Sequence, residues 1–363
     1  MPHALTATNL APSYTAPDGK EYRAGDVDHW NLWWRLGAPN SAYNRQLKPW
    51  QFTNHIPRGS QFCRKDNLAR FLKCMKKVYG AIYDFTPEGY ALPLDYLKLA
   101  AECSRCDSRT VLREGCDDSA LHQAGSENSN APVWICKPVG RSQGKGIFLF
   151  RHLSELSYDS SAVVQRYVQN PLLIGGYKFD LRLYVCVPSY RPPVVYLYRE
   201  GLARFSTDKF TLNDLENPFR HLTNCSINKL GPKYAEWKER VGMGCKWTLR
   251  QLRMYLSQNG IRDWLLWQRI SCLVALTILA QAAAVPQCSN CFEFFGFDVL
   301  VDEELRPWLL EVNISPGLGN DCDVDSTVKK PLLHEMFDLL GLPVCPTGLQ
   351  ALFQGAQYNQ SQE

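Results

Sequence analysis

From Phe294 to Pro316 the chain reads FFGFDVLVDEELRPWLLEVNISP. Phe297, Val299 and Val301 alternate with Asp298, Leu300 and Asp302, the period-two pattern of a strand. Trp308, Leu309, Leu310, Glu311 and Val312 form a second apolar strand, and the short charged stretch from Asp302 to Pro307 predicts the turn of a hairpin. Asp298 and Glu311 are acids inside runs that otherwise predict burial, and Asn313 shares a strand face with Glu311. Antiparallel pairing can set Asp298 opposite them. A buried carboxylate is costly unless it is paired or metal-bound. Two carboxylates and a neutral carbonyl oxygen suit Mg²⁺, a hard cation that also takes phosphate oxygens. Arginine or backbone caps would satisfy the same acids, so spacing alone leaves both readings open.

Upstream, Arg64 to Val78 carries Leu68, Phe71, Leu72, Met75 and Val78 at helical spacing. Its other face holds Lys65, Arg70, Lys73, Lys76 and Lys77, a solvated face or one turned to an acidic partner. Before it, Trp30, Trp33, Trp34, Tyr43 and Trp50 are enough to pack a small lobe, and Asp95 to Glu102 predicts a short helix. Ser104 to Pro132 is polar, with few large apolar groups, and predicts a surface insertion.

Order returns with a strand over Val133 to Cys136 that ends at Lys137-Pro138, a turn over Gly140 to Gly146 and a strand over Ile147 to Phe150. Strand, turn, strand is not the strand-to-helix setting of a Walker loop or a dinucleotide loop. Its glycines leave N–H groups free to approach phosphates, and Arg141 and Lys145 add charge. A lid over a triphosphate and an ordinary basic hairpin both fit. Ala162 to Gln169 predicts a strand running into a hinge. In Tyr177 to Val187, Lys178, Asp180 and Arg182 fall on one face and Phe179, Leu181 and Leu183 on the other. Val194 to Tyr198 predicts another strand, and Arg182 and Arg204 can each fork a carboxylate or phosphate. In FRHLTNCSINK, from Phe219 to Lys229, His221, Thr223 and Asn224 suit ribose, phosphate or local turn caps. Helices are expected over Lys246 to Ser257, Trp264 to Ala284 and Lys329 to Leu342. Asp321, Asp323 and Asp325 echo part of a calcium loop without its central glycine and terminal glutamate. The expected division is a loose start over 1–25, an N-terminal lobe over 26–92, a central lobe over 93–168 with the insertion 104–132, a C-terminal lobe over 169–345 and a loose tail over 346–363.

Composition changes this picture little. A net charge of +4 over 363 residues does not suit a nucleic-acid binder. The 14 cysteines are scattered, no secretory segment is expected before them, and reduced thiols are expected. Cys103-x-x-Cys106 and Cys288-x-x-Cys291 lack further ligands at zinc spacing. The longest apolar run, Ile270 to Val285, includes Ser, Thr and Gln and is shorter than the roughly 20 residues of a bilayer span, so a buried helix is expected and no membrane insertion.

Taken together, Trp134-Ile-Cys-Lys-Pro138, Ser142-Gln-Gly-Lys-Gly146, Lys178-Phe-Asp-Leu-Arg182, His221-Leu-Thr-Asn224, Phe297-Asp298 and Glu311-Val-Asn313 occur in an order that resembles the tubulin tyrosine ligase-like family, within it the glutamylase branch. The likeness runs from about Trp50 to Leu342. It implies an α+β fold of the ATP-grasp type, with mixed and antiparallel sheets and packed helices. It implies ATP and Mg²⁺ as cofactors and glutamylation of glutamate side chains in the acidic C-terminal tails of tubulin, through an acyl phosphate. In that likeness Lys137, Lys145 and the loop Ser142, Gln143, Gly144 and Gly146 contact phosphates. Gln165, Arg166, Tyr167 and Val168 form the adenine hinge. Lys178 and Asp180 contact the nucleotide, and Thr223 and Asn224 lie near ribose and phosphate. Arg182 and Arg204, with Lys137 the catalytic set, orient the incoming amino acid and the acyl phosphate. Asp298, Glu311 and Asn313 match the metal ligands, while Lys65 and Lys329 match substrate contacts, Lys329 reading the donor glutamate. Expected partners are microtubules, free L-glutamate and accessory proteins for microtubule targeting, in the cytoplasm and cytoskeleton or at a cilium or basal body. A glycylase, a tyrosine ligase and a catalytically silent tubulin-binding scaffold are the alternatives.

Overall fold

The computed structural model describes residues 30–37, 44, 47, 51–114, 131–159, 161–232 and 246–342, with three short strands, β1 (Ala4–Leu5), β2 (Ser13–Thr15) and β3 (Glu21–Arg23). Further along come strands β4 (Leu32–Trp33), β5 (Phe52–Thr53), β6 (Gly89–Leu92), β7 (Trp134–Pro138), β8 (Phe148–Phe150), β9 (Ala162–Arg166) and β10 (Leu173–Ile174). The long pair β11 (Tyr177–Tyr190) and β12 (Pro193–Phe205) follows, then β13 (Lys246–Thr248), β14 (Glu293–Val301) and β15 (Pro307–Asn313). The helices are α1 (Lys65–Tyr79), α2 (Tyr96–Glu114), α3 (Pro218–His221), α4 (Cys225–Asn228), α5 (Leu249–Gln258), α6 (Trp264–Ala282) and α7 (Asp323–Leu340). The class is α+β, built on antiparallel sheets.

The larger sheet runs β13-β12-β11-β14-β15, with β10 added on β11. Alternation along β11 gives it two faces. Phe179, Leu181, Leu183, Val185 and Val187 bury into the main core against Leu249, Leu252 and Leu256 of α5 and Leu266, Ile270, Leu273 and Val274 of α6. Lys178, Asp180 and Arg182 turn to the other side, and Lys178 and Asp180 are buried, so this charged face does not look into solvent. Among the described residues α6 is the one helix long and apolar enough to cross a membrane, and its buried stripe belongs to this core.

A second, four-stranded sheet runs β6-β9-β7-β8. Leu99 and Cys103 of α2 pack on its outer face against Trp134, Cys136, Phe150 and Val164. Its inner face meets the region between β12 and α4 through Val133, Ile135, Tyr167 and Leu222. Lys137 and Gln165 point from that inner face toward the charged face of the larger sheet, and a cleft lies between them.

Several expectations change. Of the aromatic residues expected to pack a small lobe before position 51, Trp34 docks elsewhere. Trp34 lies 6.3 Å from Phe292, 6.0 Å from Phe294 and 6.3 Å from Phe337, docked on the larger sheet and α7. Tyr43 and Trp50 lie outside the described residues. The helix expected to stop at Glu102 continues to Glu114, with Cys106 buried, so the polar insertion does not begin at Ser104. Residues 115–130 lie outside the described residues. Val78, placed in the apolar stripe of α1, is exposed, whereas Leu68 and Leu72 are buried. The last helix starts at Asp323, which puts Asp323 and Asp325 in its first turn, where acids complement the helix dipole. Cys288 and Cys291, expected as free thiols, form a disulfide.

Candidate nucleotide and metal site

The hairpin acids meet as their alternation requires. Asp298 pairs with Glu311 across β14 and β15, and the Asn313 amide nitrogen is 3.3 Å from Glu311 Oε1. Their neutralisation is unequal. Arg182, beside Asp298 in the β11–β14 register, donates through Nε to Asp298 Oδ1 at 2.5 Å and through a terminal nitrogen to Oδ2 at 3.1 Å. Arg204 reaches Asp298 Oδ2 at 2.8 Å and forks Asp180 at 2.7 and 2.5 Å. Burial alone would raise the Asp298 carboxyl, but the two guanidiniums hold it well below the usual carboxylate range. Arg182, Asp298, Arg204 and Asp180 thus form a chain of alternating charge with no net charge. Glu311 has a weaker partner, Lys65 Nζ at 3.7 Å, and its side chain stays 26% exposed against 3% for Asp298.

The opposite wall comes from the smaller sheet. Lys137, at the end of β7, donates to Gln165 Oε1 at 2.7 Å. Burial pushes its ammonium down to about 8, against the pull of Glu311. Lys178 donates to the Tyr167 hydroxyl and to the His221 carbonyl, both at 2.8 Å, and burial lowers it to about 7, partly offset by Asp180. The glycine loop leans on α4: the Ser226 hydroxyl donates to the Gln143 carbonyl at 3.2 Å. Gly144 has φ +76°, and a Cβ there would lie 2.9 Å from Asn224 Oδ1, so both conformation and space require glycine. Asn228 fixes the turn beneath, accepting from the Thr207 N–H and hydroxyl at 3.0 and 2.9 Å and donating to the Leu222 carbonyl at 2.9 Å.

One cleft therefore gathers Lys65, Lys137, Ser142, Gln143, Gly144, Gln165, Arg166, Tyr167, Val168, Lys178, Asp180, Arg204, Thr223, Asn224, Asp298, Glu311 and Asn313. Arg182 stands behind Asp298. Lys145 and Gly146 do not line the cleft, and Lys145 is exposed. Lys329 does not line it either. Its ammonium is 2.6 Å from the Gly319 carbonyl and 2.8 Å from Asp325 Oδ1, in a buried cluster with Lys246, itself 2.6 Å from Asp325 Oδ2. The apolar floor of Ile135, Leu300 and Leu310 escaped sequence reasoning because each residue belongs to a strand that reads as ordinary core. The Lys246–Asp325 pair escaped it because the partners lie 79 positions apart.

Comparison with known proteins gives the family. The model of the tubulin-tyrosine ligase family matches residues 43–349. The chain is 44% identical over 342 residues to the human protein named probable tubulin polyglutamylase TTLL2, covering 94% of this chain and 54% of that protein. The mouse protein of the same name is 46% identical over 318 residues, covering 87% of this chain and 56% of that protein. Human tubulin polyglutamylase TTLL5 is 36% identical over 344 residues, covering 91% of this chain and 25% of that protein. The chain spans about half the length of the first two relatives. The chain belongs to the tubulin-tyrosine ligase family.

Proposed function

We propose that this chain is an ATP-dependent protein-glutamate ligase of the ATP-grasp type that extends acidic tubulin tails by isopeptide bonds. The observation that carries the reading is the convergence, in one cleft, of Lys137, Lys178 and the glycine loop on Asp298, Glu311 and Asn313. Lysines and free backbone N–H groups suit a polyphosphate, and the acids suit the cation that accompanies it. Asp298, Glu311 and Asn313 fit Mg²⁺, since the set offers hard oxygen donors on paired strands and Glu311 has only a long, 3.7 Å ion pair to Lys65. When bound, Mg²⁺ would neutralise phosphate charge as the γ-phosphoryl moves to the acceptor carboxylate. Lys137 offers a second cation at the same cleft, and its partner Gln165 is neutral, so its charge stays available to phosphate. Arg204 and Arg182 border the metal acids and offer guanidiniums to the carboxylates of the incoming glutamate. Positioning and charge neutralisation suffice, and no covalent enzyme intermediate is required.

Names of the relatives support glutamate as donor: probable tubulin polyglutamylase, tubulin polyglutamylase and, for a mouse relative 36% identical over 326 residues, tubulin monoglutamylase. A glycylase or a silent tubulin-binding scaffold is the alternative reading. The proposed setting is the cytoplasm and cytoskeleton, with a cilium or basal body as a further site. The test incubates purified protein with tubulin, ATP, Mg²⁺ and each labelled amino acid, followed by mass spectrometry of the tails. Glutamate added to glutamate side chains supports the reading. Glycine addition moves it to the glycylase, and no addition to any tail sinks the ligase.

A further inference from the structure

His221 lies at the foot of the cleft, and both of its ring nitrogens are already engaged. Nε2 is 2.7 Å from the Asp214 carbonyl and Nδ1 is 3.1 Å from the Tyr167 hydroxyl. No ring nitrogen is left for a ribose or phosphate. Phe210 stacks on Tyr167 at 6.5 Å and meets His221 edge-on at 5.7 Å, holding both rings in place.

The chain of hydrogen bonds has one direction. Burial pushes the imidazole down to about 4, so it is neutral and only one nitrogen carries a hydrogen. A carbonyl only accepts, so Nε2 is the donor to Asp214 and Nδ1 must accept. The Tyr167 hydroxyl then donates to His221, and its oxygen is left to accept from Lys178 at 2.8 Å. The His221 carbonyl takes a second Lys178 hydrogen at 2.8 Å. An ammonium has three hydrogens. Two are committed, which leaves one hydrogen for an acceptor in the cleft that Lys178 lines. In the neutral amine a lone pair takes its place, which repels a nucleotide's acceptor atoms.

We propose that His221 is a positioning residue for nucleotide binding: acting through Tyr167, it turns the one free Lys178 donor into the cleft, and nucleotide binding is coupled to proton uptake at Lys178. The inference rests on the reading of the cleft as a nucleotide site. The charged and titratable groups around the relay are few. Asp180 on the same strand raises Lys178, and Lys137 across the cleft lowers it. Around His221 stand Asp214, which raises it, and Lys178 and Arg220, which lower it. Burial and the Lys137 charge disfavour the free ammonium, so an incoming acceptor draws a proton onto the amine. Affinity should therefore weaken as pH rises above about 7.

The test is calorimetric titration of the full chain with Mg²⁺-ADP at pH 6.5, 7.5 and 8.5, in two buffers of different ionisation enthalpy. Wild-type protein is expected to take up a growing fraction of a proton from the lowest to the highest pH, and Lys178→Met is expected to abolish that uptake. Loss of a hydrogen bond that orients a charged donor should make His221→Leu and Tyr167→Phe each bind about tenfold more weakly. His221→Gln, whose amide can both donate to Asp214 and accept from Tyr167, should return affinity to within about threefold. Tyr167→Phe keeps the stacked ring and carries the test if His221→Leu does not fold. Wild-type affinity in His221→Leu or Tyr167→Phe, a folded His221→Gln as weak as His221→Leu, or uptake that survives Lys178→Met would overturn the proposal. A wild-type protein that binds no nucleotide at any of these pH values would instead remove the nucleotide site itself, and this inference with it.

Discussion

Asp298 and Glu311 face each other across β14 and β15, yet two arginines neutralise the first while a single lysine, 3.7 Å away, serves the second. The asymmetry assigns different work to two chemically similar acids. Asp298 knits β11, β12 and β14 together through Arg182 and Arg204. Glu311 is the carboxylate with capacity left for a cation.

Glu311→Gln is therefore expected to remove ligation by at least about a hundredfold, because it takes away charge where charge must be balanced. The fold should barely notice. Only a long ion pair to Lys65 and the 3.3 Å contact with Asn313 are touched, and a substitution of this kind at a partly exposed side chain should move Tm by less than about 2 °C. Steady-state rates at saturating Mg²⁺ beside a thermal melt separate the two. Full activity would remove Glu311 from the metal set.

Arg204→Ala should behave in the opposite way. It strands the buried Asp180 and leaves Asp298 with Arg182 alone, and leaving buried charge uncompensated costs about 3–5 kcal/mol. Asp298 has a folded-state acidity stronger than its unfolded one, so its pairing stabilises above pH about 3.8 and is lost as pH falls further. The gap in stability between wild type and Arg204→Ala should accordingly be full at pH 7 and narrow below pH about 4. Urea melts at both pH values check this. A variant as stable as wild type at pH 7 would contradict the buried network.

Local alternation made much of this legible. Asp298, Glu311 and Asn313 sit where a period of two puts them, and Lys178, Asp180 and Arg182 share the expected face. What alternation cannot show is the partner of each charge. Arg182 and Asp298 are 116 positions apart, and Lys246 and Asp325 are 79 apart. Nothing in the intervening sequence marks either pair. The extent of β12 was also hidden: the strand expected over Val194 to Tyr198 runs on through Glu200 and Gly201 to Phe205. Gly201 is required there because a Cβ would lie 2.6 Å from the Arg182 carbonyl of the neighbouring strand.

The polar stretch after Cys103 shows how composition misleads at a helix end. Its first part continues α2 to Glu114, with Cys106 buried and Arg105 forking Glu102 at 2.9 and 2.5 Å. A deletion that joins Cys103 to Ala131 removes the second half of that helix. It should cost about 2 kcal/mol or more and lower Tm by roughly 5 °C. Differential scanning calorimetry decides it, and an unchanged Tm would mean that α2 needs nothing beyond Cys103.

Lys329 tests how a second carboxylate on the donor is read. It belongs to a cluster in which Lys246 and Lys329 share the buried Asp325, with the more exposed Lys229–Asp321 pair beside them. Lys246 pairs in register with Arg204, so the cluster borders the neutral Arg182–Asp298–Arg204–Asp180 chain. Glutamate carries one carboxylate more than glycine, and in a closed site that group needs a cation. On the proposed reading, Lys329, sharing Asp325 with Lys246, is the cation that would serve it beyond Arg204. Lys329→Ala should raise KM for glutamate about tenfold, narrow the preference over glycine by a similar factor, and leave ATP affinity within about twofold. Because Lys329 also ties Asp325 to the Gly319 carbonyl, some loss of stability should accompany the change. Lys330→Ala, one position along, is exposed and should alter none of these quantities. Initial rates with both donors on one tail peptide separate the outcomes. An unchanged glutamate-to-glycine ratio in a destabilised Lys329→Ala protein would confine this lysine to holding the start of α7 in place.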